Sequence, residues 1–325
     1  MPRSEVTNIT NPTRLTLNVP RGFSLPHTVC SYGFFILAPN YWTPVKRPHA
    51  GRLIRPLHIS RNRVVTVTVT VSQSKPSQPL RIRCDRKLDR ADQSRIKTQL
   101  TRMLRLDEDL TAWSKLHPDA RRARFARIFR SPTLFEDIIK TMTCCNVTWP
   151  STVRMNRLLT QHVGSNGAFP TPAELAKWTP KRLAAMCKVG YRADRIIRFA
   201  KDVHTNRIKL DLFDDPNLTT DQLYKMLTAI HGIGPFAANN ILQLLGRYDR
   251  LPVDTETVRH FRQYHNIQGD LKHATQLAET FYNQYHPYQF LAYWFELWNH
   301  YEGMQRNAWQ WGPDSYEAFT ASNMK

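Results

Sequence analysis

The sequence is short of acid. Its 325 residues carry 26 Asp and Glu against 46 Lys and Arg, a formal charge of +20, and the isoelectric point is near 10.1. That imbalance argues for a polyanionic partner, nucleic acid first and an anionic membrane surface second. Cysteine is also scarce. Cys30, Cys84, Cys144, Cys145 and Cys187 are odd in number and form no C-x-x-C pair. This speaks against a disulfide framework or a cysteine zinc site and fits a reducing compartment. Long apolar runs are missing: nothing approaches the ~20 residues of a membrane span. The opening MPRSEVTNIT lacks the apolar stretch of a secretory signal, so an intracellular protein is expected. On that footing the N-x-T sequences at Asn8, Asn146 and Asn217 carry no glycosylation.

What the chain does have is bulk. Eight Trp and fifteen Phe sit within a hydrophobic fraction of 41%, enough for one large or two moderate domains. Residues 1–22 are polar and broken by Pro, and read as a loose arm. Residues 23–90 read as a small antiparallel β domain. RVVTVTVTVSQ alternates Val and Thr with the period of a half-buried strand, LRIRC alternates again after the polar turn SQSKPSQP, and CSYGFFILAP is an apolar run of strand length. From residue 91 to 325 the chain reads as helices, giving an α+β fold. Ile96, Leu100, Met103 and Leu104 have helical spacing. SPTLFEDIIKTMT reads as a buried helix with Pro132 in its first turn, and TPAELAKW and TPKRLAAM each open with a Thr cap followed by Pro.

The segment from 220 to 246 reads as two helices joined by a glycine turn. Thr219 and Gln222 fit a capping box. Leu223, Met226, Leu227 and Ile230 mark one apolar face. His231, Gly232 and Gly234 follow, the glycines allowing positive φ in a tight turn. Pro235 restarts a helix whose free N–H groups, Gly234 included, suit a phosphate oxygen. An ordinary helical hairpin has the same pattern. Asp254 lies 20 residues past Gly234 (254 − 234), just before TETV, where it also reads as a helix N-cap with a lowered pKa.

HGIGPFAANNILQLLGRYDRLPVDTETVRHF resembles the helix-hairpin-helix and Gly/Pro-Asp signature of base-excision DNA glycosylases. FRSPTLFEDIIKTMTCCNVTW and KVGYRADRIIRFA resemble two segments of the 8-oxoguanine and 3-methyladenine branch of that superfamily, and FSLPHTVCSYGFFILAPNYW is similar to the start of its β domain. The resemblance covers residues 100–300 well and 20–85 loosely. It implies an enzyme of DNA repair that flips a modified base from double-stranded DNA and cleaves its N-glycosidic bond, working as a monomer, in the nucleus of a eukaryote or the cytoplasm or nucleoid of a bacterium.

By the same resemblance Asp254 is the catalytic carboxylate. Gly232, Gly234 and His231 grip the DNA backbone. Asn146 bonds the widowed partner base, Tyr191 wedges beside it and Arg192 assists. Phe236, Asn240, Tyr293 and Leu297 border the base pocket, and Trp294, Trp298 and Tyr301 on the same aromatic stretch are candidates for stacking. Phe236 stands where bifunctional members carry a lysine, and no Lys occurs between Lys225 and Lys272. A monofunctional enzyme follows, unless a lysine from elsewhere, such as Lys140, serves as nucleophile. The iron–sulfur members carry four cysteines after the acid; no Cys follows Cys187, so no cluster is expected and no cofactor is required. A monovalent cation at the hairpin carbonyls is implied.

Two other classes stay open at this point: a structure-specific DNA-binding protein that kept the hairpin without the chemistry, and a basic ribosome-associated protein. The substrate base is not fixed. An aromatic pocket suits electron-poor alkylated purines, and a mismatched pyrimidine also remains open.

Overall fold

A computed structural model describes residues 12–47, 50–59, 65–304 and 306–312. Five strands form one antiparallel sheet: β1 (Arg14–Leu17), β2 (Tyr41–Trp42), β3 (Arg52–His58), β4 (Thr66–Ser72) and β5 (Leu80–Cys84), in the order β1-β5-β4-β3-β2. The Val/Thr alternation does what its period requires. Val67, Val69 and Val71 point into the core, and Val69 and Val71 pair with Cys84 and Ile82 across β5. Arg81 and Arg83 take the outer face of β5.

Two sequence expectations fail here. Residues 1–22 were expected to form a loose arm, yet Arg14–Leu17 is an edge strand, with Leu15 opposite Ile82 and buried; residues 1–11 lie outside the described residues. CSYGFFILAP is not a strand. It starts at Cys30, the C-cap of a short helix, α1 (Leu25–Val29), and holds a 3-10 turn at Gly33–Ile36. Phe34, Phe35 and Ile36 are buried in succession, which a strand with two opposite faces does not allow unless both are covered.

The helical part begins with α2 (Arg90–Leu104), α3 (Thr111–Leu116) and α4 (Pro118–Arg122), followed by α5 (Leu134–Cys144) and α6 (Trp149–His162). Ile96, Leu100, Met103 and Leu104 of α2 are buried as their spacing predicts. Pro132 falls outside α5, because Thr133 is its cap, bonding the Glu136 N–H. Then come α7 (Pro172–Ala176), α8 (Pro180–Cys187) and α9 (Arg192–His204); Thr171 and Thr179 cap α7 and α8 with Pro in the first turn, as expected. The hairpin is α10 (Thr220–Thr228) and α11 (Pro235–Leu244), and the Thr219–Gln222 capping box is formed. The chain closes with α12 (Thr255–Tyr264), α13 (Leu271–Thr280) and α14 (Gln289–Met304).

The core does not divide at residue 91. One apolar cluster joins the sheet, α2–α4 and α12–α14; the other is built from residues 134–242, spanning α5–α10 and most of α11. The helical region is therefore two lobes, one of them continuous with the sheet. Arg55, carried inward by the alternation of β3, pairs with Glu136 of α5, which also takes Lys140 at 2.8 Å. Burial works to raise the Glu136 carboxyl, but Arg55 and Lys140 hold it at about 2. At the far end of the hairpin, Arg105 donates to the carbonyls of Gln243 and Leu244, and Arg130 to Leu244 as well. Two cations thus take buried carbonyls at the α11 C-terminus, where the helix dipole favours positive charge.

Candidate active site at the seam between the lobes

Asp254 is the N-cap of α12. Its Oδ1 accepts from the N–H of Glu256 at 3.0 Å and of Thr257 at 3.2 Å, with the Thr257 hydroxyl at 3.4 Å. The sequence reading expected these donors to lower its pKa. The balance goes the other way: burial, helped by the Glu256 charge, raises the carboxyl to about 6, and the Glu256 and Thr257 donors offset only part of that cost.

Asp254 opens onto a cavity of about 490 Å³. Its walls come from both lobes. Phe236 and Asn240 are on α11; Phe290, Tyr293, Trp294, Leu297, Trp298 and Tyr301 are on α14. All four residues expected to border a base pocket, Phe236, Asn240, Tyr293 and Leu297, are brought together here. Asn240 is held rigidly, accepting from Tyr32 Oη at 2.7 Å and donating to Thr141 Oγ1 at 3.1 Å. Tyr293 Oη stands 3.1 Å from Thr257 Oγ1, and Tyr301 donates to Glu256 at 2.7 Å. Trp294 donates to the Ser31 carbonyl at 2.8 Å, so its ring is fixed rather than swinging.

Sequence reasoning missed part of the wall: Tyr32, Gly33, Phe34, Trp149 and Glu256 also line the cavity. Gly33 has a specific reason to be glycine, since a Cβ there would come within 2.9 Å of the Trp149 ring. The available signal was the aromatic density of SYGFF, hidden by its reading as a strand. Lys140 is not a wall residue. It is fully buried, ion-paired to Glu136, and 5.7 Å from the ring centroids of both Phe34 and Phe169. Among the described residues that line the cavity none is a lysine.

The glycine turn abuts this cavity through α11. Gly232 has φ +90°, and a Cβ on it would meet the Arg195 side chain at 2.5 Å. Gly234, expected to share the positive φ, has φ −93° and ψ −177° instead. Its need for glycine is not conformational. A Cβ there would meet nothing within 4 Å, so the missing side chain clears the space outside the protein, in front of the first N–H groups of α11. His231 is exposed on the same turn, with Nε2 3.7 Å from Asp194.

A second exposed edge flanks the cavity mouth. Asn146 follows α5 in the left-handed region at φ 51°, in the turn that leads to the wall residues Val147, Thr148 and Trp149. Tyr191 is 54% exposed, unusual for so large a ring. Arg192 differs from expectation: it is buried and donates to the carbonyls of Cys145 and Asn146. Its guanidinium also lies 4.6 Å from the Tyr191 ring centroid, with Arg195 at 4.9 Å. Arg192 therefore holds the Asn146 turn and the Tyr191 ring together and does not itself face outward.

No protein-family model matches the sequence, and no curated protein matches it either. Solved structures do match the fold. The apo form of the Clostridium acetobutylicum 8-oxoguanine glycosylase/lyase aligns with a TM-score of 0.64 at 17% identity, covering 89% of this chain and 98% of that one. The 3-methyladenine DNA-glycosylase of Archaeoglobus fulgidus aligns with a TM-score of 0.61 at 16% identity, with the same coverage. MBOgg1 in complex with a low-affinity DNA ligand aligns with a TM-score of 0.63 at 19% identity, covering 88% of this chain and 96% of that one. The chain shares the fold of these three solved structures. No helix among the described residues is long and apolar enough to cross a membrane.

Proposed function

We propose that this chain is a monofunctional DNA N-glycosylase, which takes a modified base out of a duplex and hydrolyses its N-glycosidic bond to leave an intact abasic site. The observation that carries the reading is Asp254, a helix-capping carboxylate opening onto an aromatic cavity of base-binding size beside a phosphate-suited turn. Its three bonds all end on Oδ1, which leaves Oδ2 for substrate. With a pKa of about 6 the group is mostly ionised at pH 7. It can stabilise positive charge growing on the sugar as the bond from C1′ to the base nitrogen breaks. A water oxygen then bonds to C1′, its proton passing to the carboxylate and on to the departing base.

Hydrolysis without strand cleavage is supported by Phe236 on the cavity wall and by the ion-paired burial of Lys140. The turn at Gly232–Gly234 takes the DNA backbone. The turn offers backbone carbonyls and no acidic side chain, a donor set suited to a singly charged cation, which would stiffen the turn and take no part in bond cleavage. No cofactor enters the proposed reaction. Asn146 and the Tyr191 ring occupy the gap left by the flipped base, braced by Arg192. The cavity's rings favour an electron-poor base, an alkylated purine above all. One chain supplies every residue in this scheme, so a monomer suffices for it.

The test is incubation with duplexes that each carry one modified base, with mass detection of the free base and alkali to reveal abasic sites. Release of an alkylated purine without spontaneous nicking is expected. Binding to these duplexes with no base released from any of them would refute the enzyme and leave a DNA-binding protein.

A further inference from the structure

A second cluster of chemistry-bearing side chains lies outside the cavity wall. His260 of α12 and His265, the residue that caps its C-terminus, meet Glu296 of α14 and Tyr282 from the segment between α13 and α14. His260 Nε2 is 3.3 Å and His265 Nε2 3.0 Å from Glu296 Oε2. Tyr282 Oη is 2.7 Å from the same oxygen, 3.2 Å from His260 Nε2 and 3.4 Å from His265 Nε2. The two imidazoles and the carboxylate each offer a ligand atom, all within 4.8 Å of one another.

Five close approaches converge among four atoms, three of them on a single carboxylate oxygen. Donors around a tetrahedral ion at bond lengths of about 2.0–2.1 Å stand about 3.3 Å apart, and Glu296 Oε2 stands 3.3 Å and 3.0 Å from the two imidazole nitrogens. The donor set fits as well. Two imidazole nitrogens and one carboxylate oxygen are zinc ligands.

We propose that His260, His265 and Glu296 form a site for one divalent transition cation, with Zn²⁺ the best match to these donors. Tyr282 Oη donates to Glu296 and orients it, leaving the fourth position to water. His260 and Tyr282 are buried, whereas the side chains of His265 and Glu296 are 16% and 21% exposed, giving an ion a way in from solvent. The ion ties the end of α12 to the middle of α14. Asp254 caps the start of that same α12, and α14 carries the cavity's aromatic wall, so the site fixes the separation of carboxylate and pocket. It does not depend on the proposed reaction.

The experiment uses the full chain, purified without a histidine tag or chelator. Metal content is measured directly, the protein is stripped, and Zn²⁺ is titrated back while heat of binding and melting temperature are followed. Co²⁺ is added to a separate stripped sample for its visible spectrum. One ion per chain, a higher melting temperature with Zn²⁺ and the intense absorption of tetrahedral Co²⁺ are expected. His265→Ala and Glu296→Gln should each weaken binding by more than about 100-fold, as removal of a direct ligand exceeds the loss from an outer-shell partner. If a variant does not fold, the wild-type stoichiometry and Co²⁺ spectrum still decide. Less than one equivalent bound at micromolar Zn²⁺, an octahedral Co²⁺ spectrum, or a folded variant that binds like wild type overturns the site.

Discussion

The Asp254 carboxylate and the Tyr293 phenol share one hydroxyl, that of Thr257, which lies 3.4 Å from Asp254 Oδ1 and 3.1 Å from Tyr293 Oη. Burial pushes the Tyr293 phenol well up, and the nearby Asp254 charge adds to this, so the ring stays neutral beside the acid. Thr257→Val keeps the shape and the two N–H bonds onto Asp254 Oδ1 but deletes the shared hydroxyl, which also accepts from the Asp254 N–H. The carboxylate then loses a stabilising donor. The acid limb of the rate profile should move to higher pH by roughly half a unit, with only a few-fold loss at neutral pH. An unmoved profile in a folded variant would mean that Thr257 does not tune the acid.

Asp254→Asn isolates the charge, because Asn also caps helices well. Base release should fall by orders of magnitude, while DNA binding stays close to wild type. Stability supplies an independent readout. The native carboxyl titrates at about 6, above its ordinary 3.8, so the folded state holds its proton more tightly than the unfolded state. That stabilisation is complete below the unfolded value and is lost as pH rises through about 6. The variant should therefore match wild type near pH 4 and melt higher than wild type at pH 7, by at most about 3 kcal/mol and less for a carboxylate partly open to water. Melting curves at the two pH values decide it. An equal difference at both would show that Asp254 is not strained by burial.

Phe236→Lys places an amine on the cavity wall that Asp254 also faces. Wild-type protein should give no covalent DNA adduct under borohydride, whereas the variant should be trapped and should nick the strand at the abasic site. Trapping of the wild type would identify another amine as nucleophile. A variant that excises the base but never traps would place position 236 out of reach of the sugar.

The hairpin, the acid and the α/β split were legible because each rests on local chemistry. Thr219 with Gln222, Thr171 before Pro172, and the Val/Thr alternation of β4 are short-range patterns, and all three formed. What escaped depends on contacts distant in sequence. Tyr32 joins the site only because its hydroxyl meets Asn240, more than two hundred residues away. The resemblance of KVGYRADRIIRFA implies a DNA contact for Arg192; its burial follows from the Cys145 and Asn146 carbonyls that it binds. The pKa of Asp254 was misjudged for a related reason: the cap donors are visible in TETV, whereas the burial that outweighs them comes from the surrounding fold. The His260, His265 and Glu296 cluster carries no recognisable ligand spacing, since its third member arrives on another helix.

The two glycines of the turn should separate folding from binding. Gly232→Ala forces a side chain into positive φ and against Arg195, and should cost about 1–2 kcal/mol of stability. Gly234→Val adds bulk where nothing of the protein stands within 4 Å. Its melting temperature should stay near wild type, and its affinity should fall alike for every duplex, because the turn grips backbone and not bases. A lesion-specific loss on Gly234→Val would assign the turn to base recognition instead.

Asn146 and Tyr191 sit beside the cavity mouth rather than in it, on a turn and a ring that Arg192 holds together. If they fill the vacated stack they act after flipping and touch the partner strand. Asn146→Ala should change how the rate depends on the base opposite the lesion. Tyr191→Ala should slow excision from well-paired duplexes more than from mismatched or single-stranded DNA, where less unstacking is required, and the ratio between substrates should move by ~10-fold or more. Arg192→Ala removes the brace without touching DNA, so it should reproduce both defects together, with a lower melting temperature from the freed carbonyls. Single-turnover rates on one lesion against all four partners and in single strands measure all three effects. Equal losses on every substrate from Tyr191→Ala would make the exposed ring a packing element, and the gap would have to be filled by another residue.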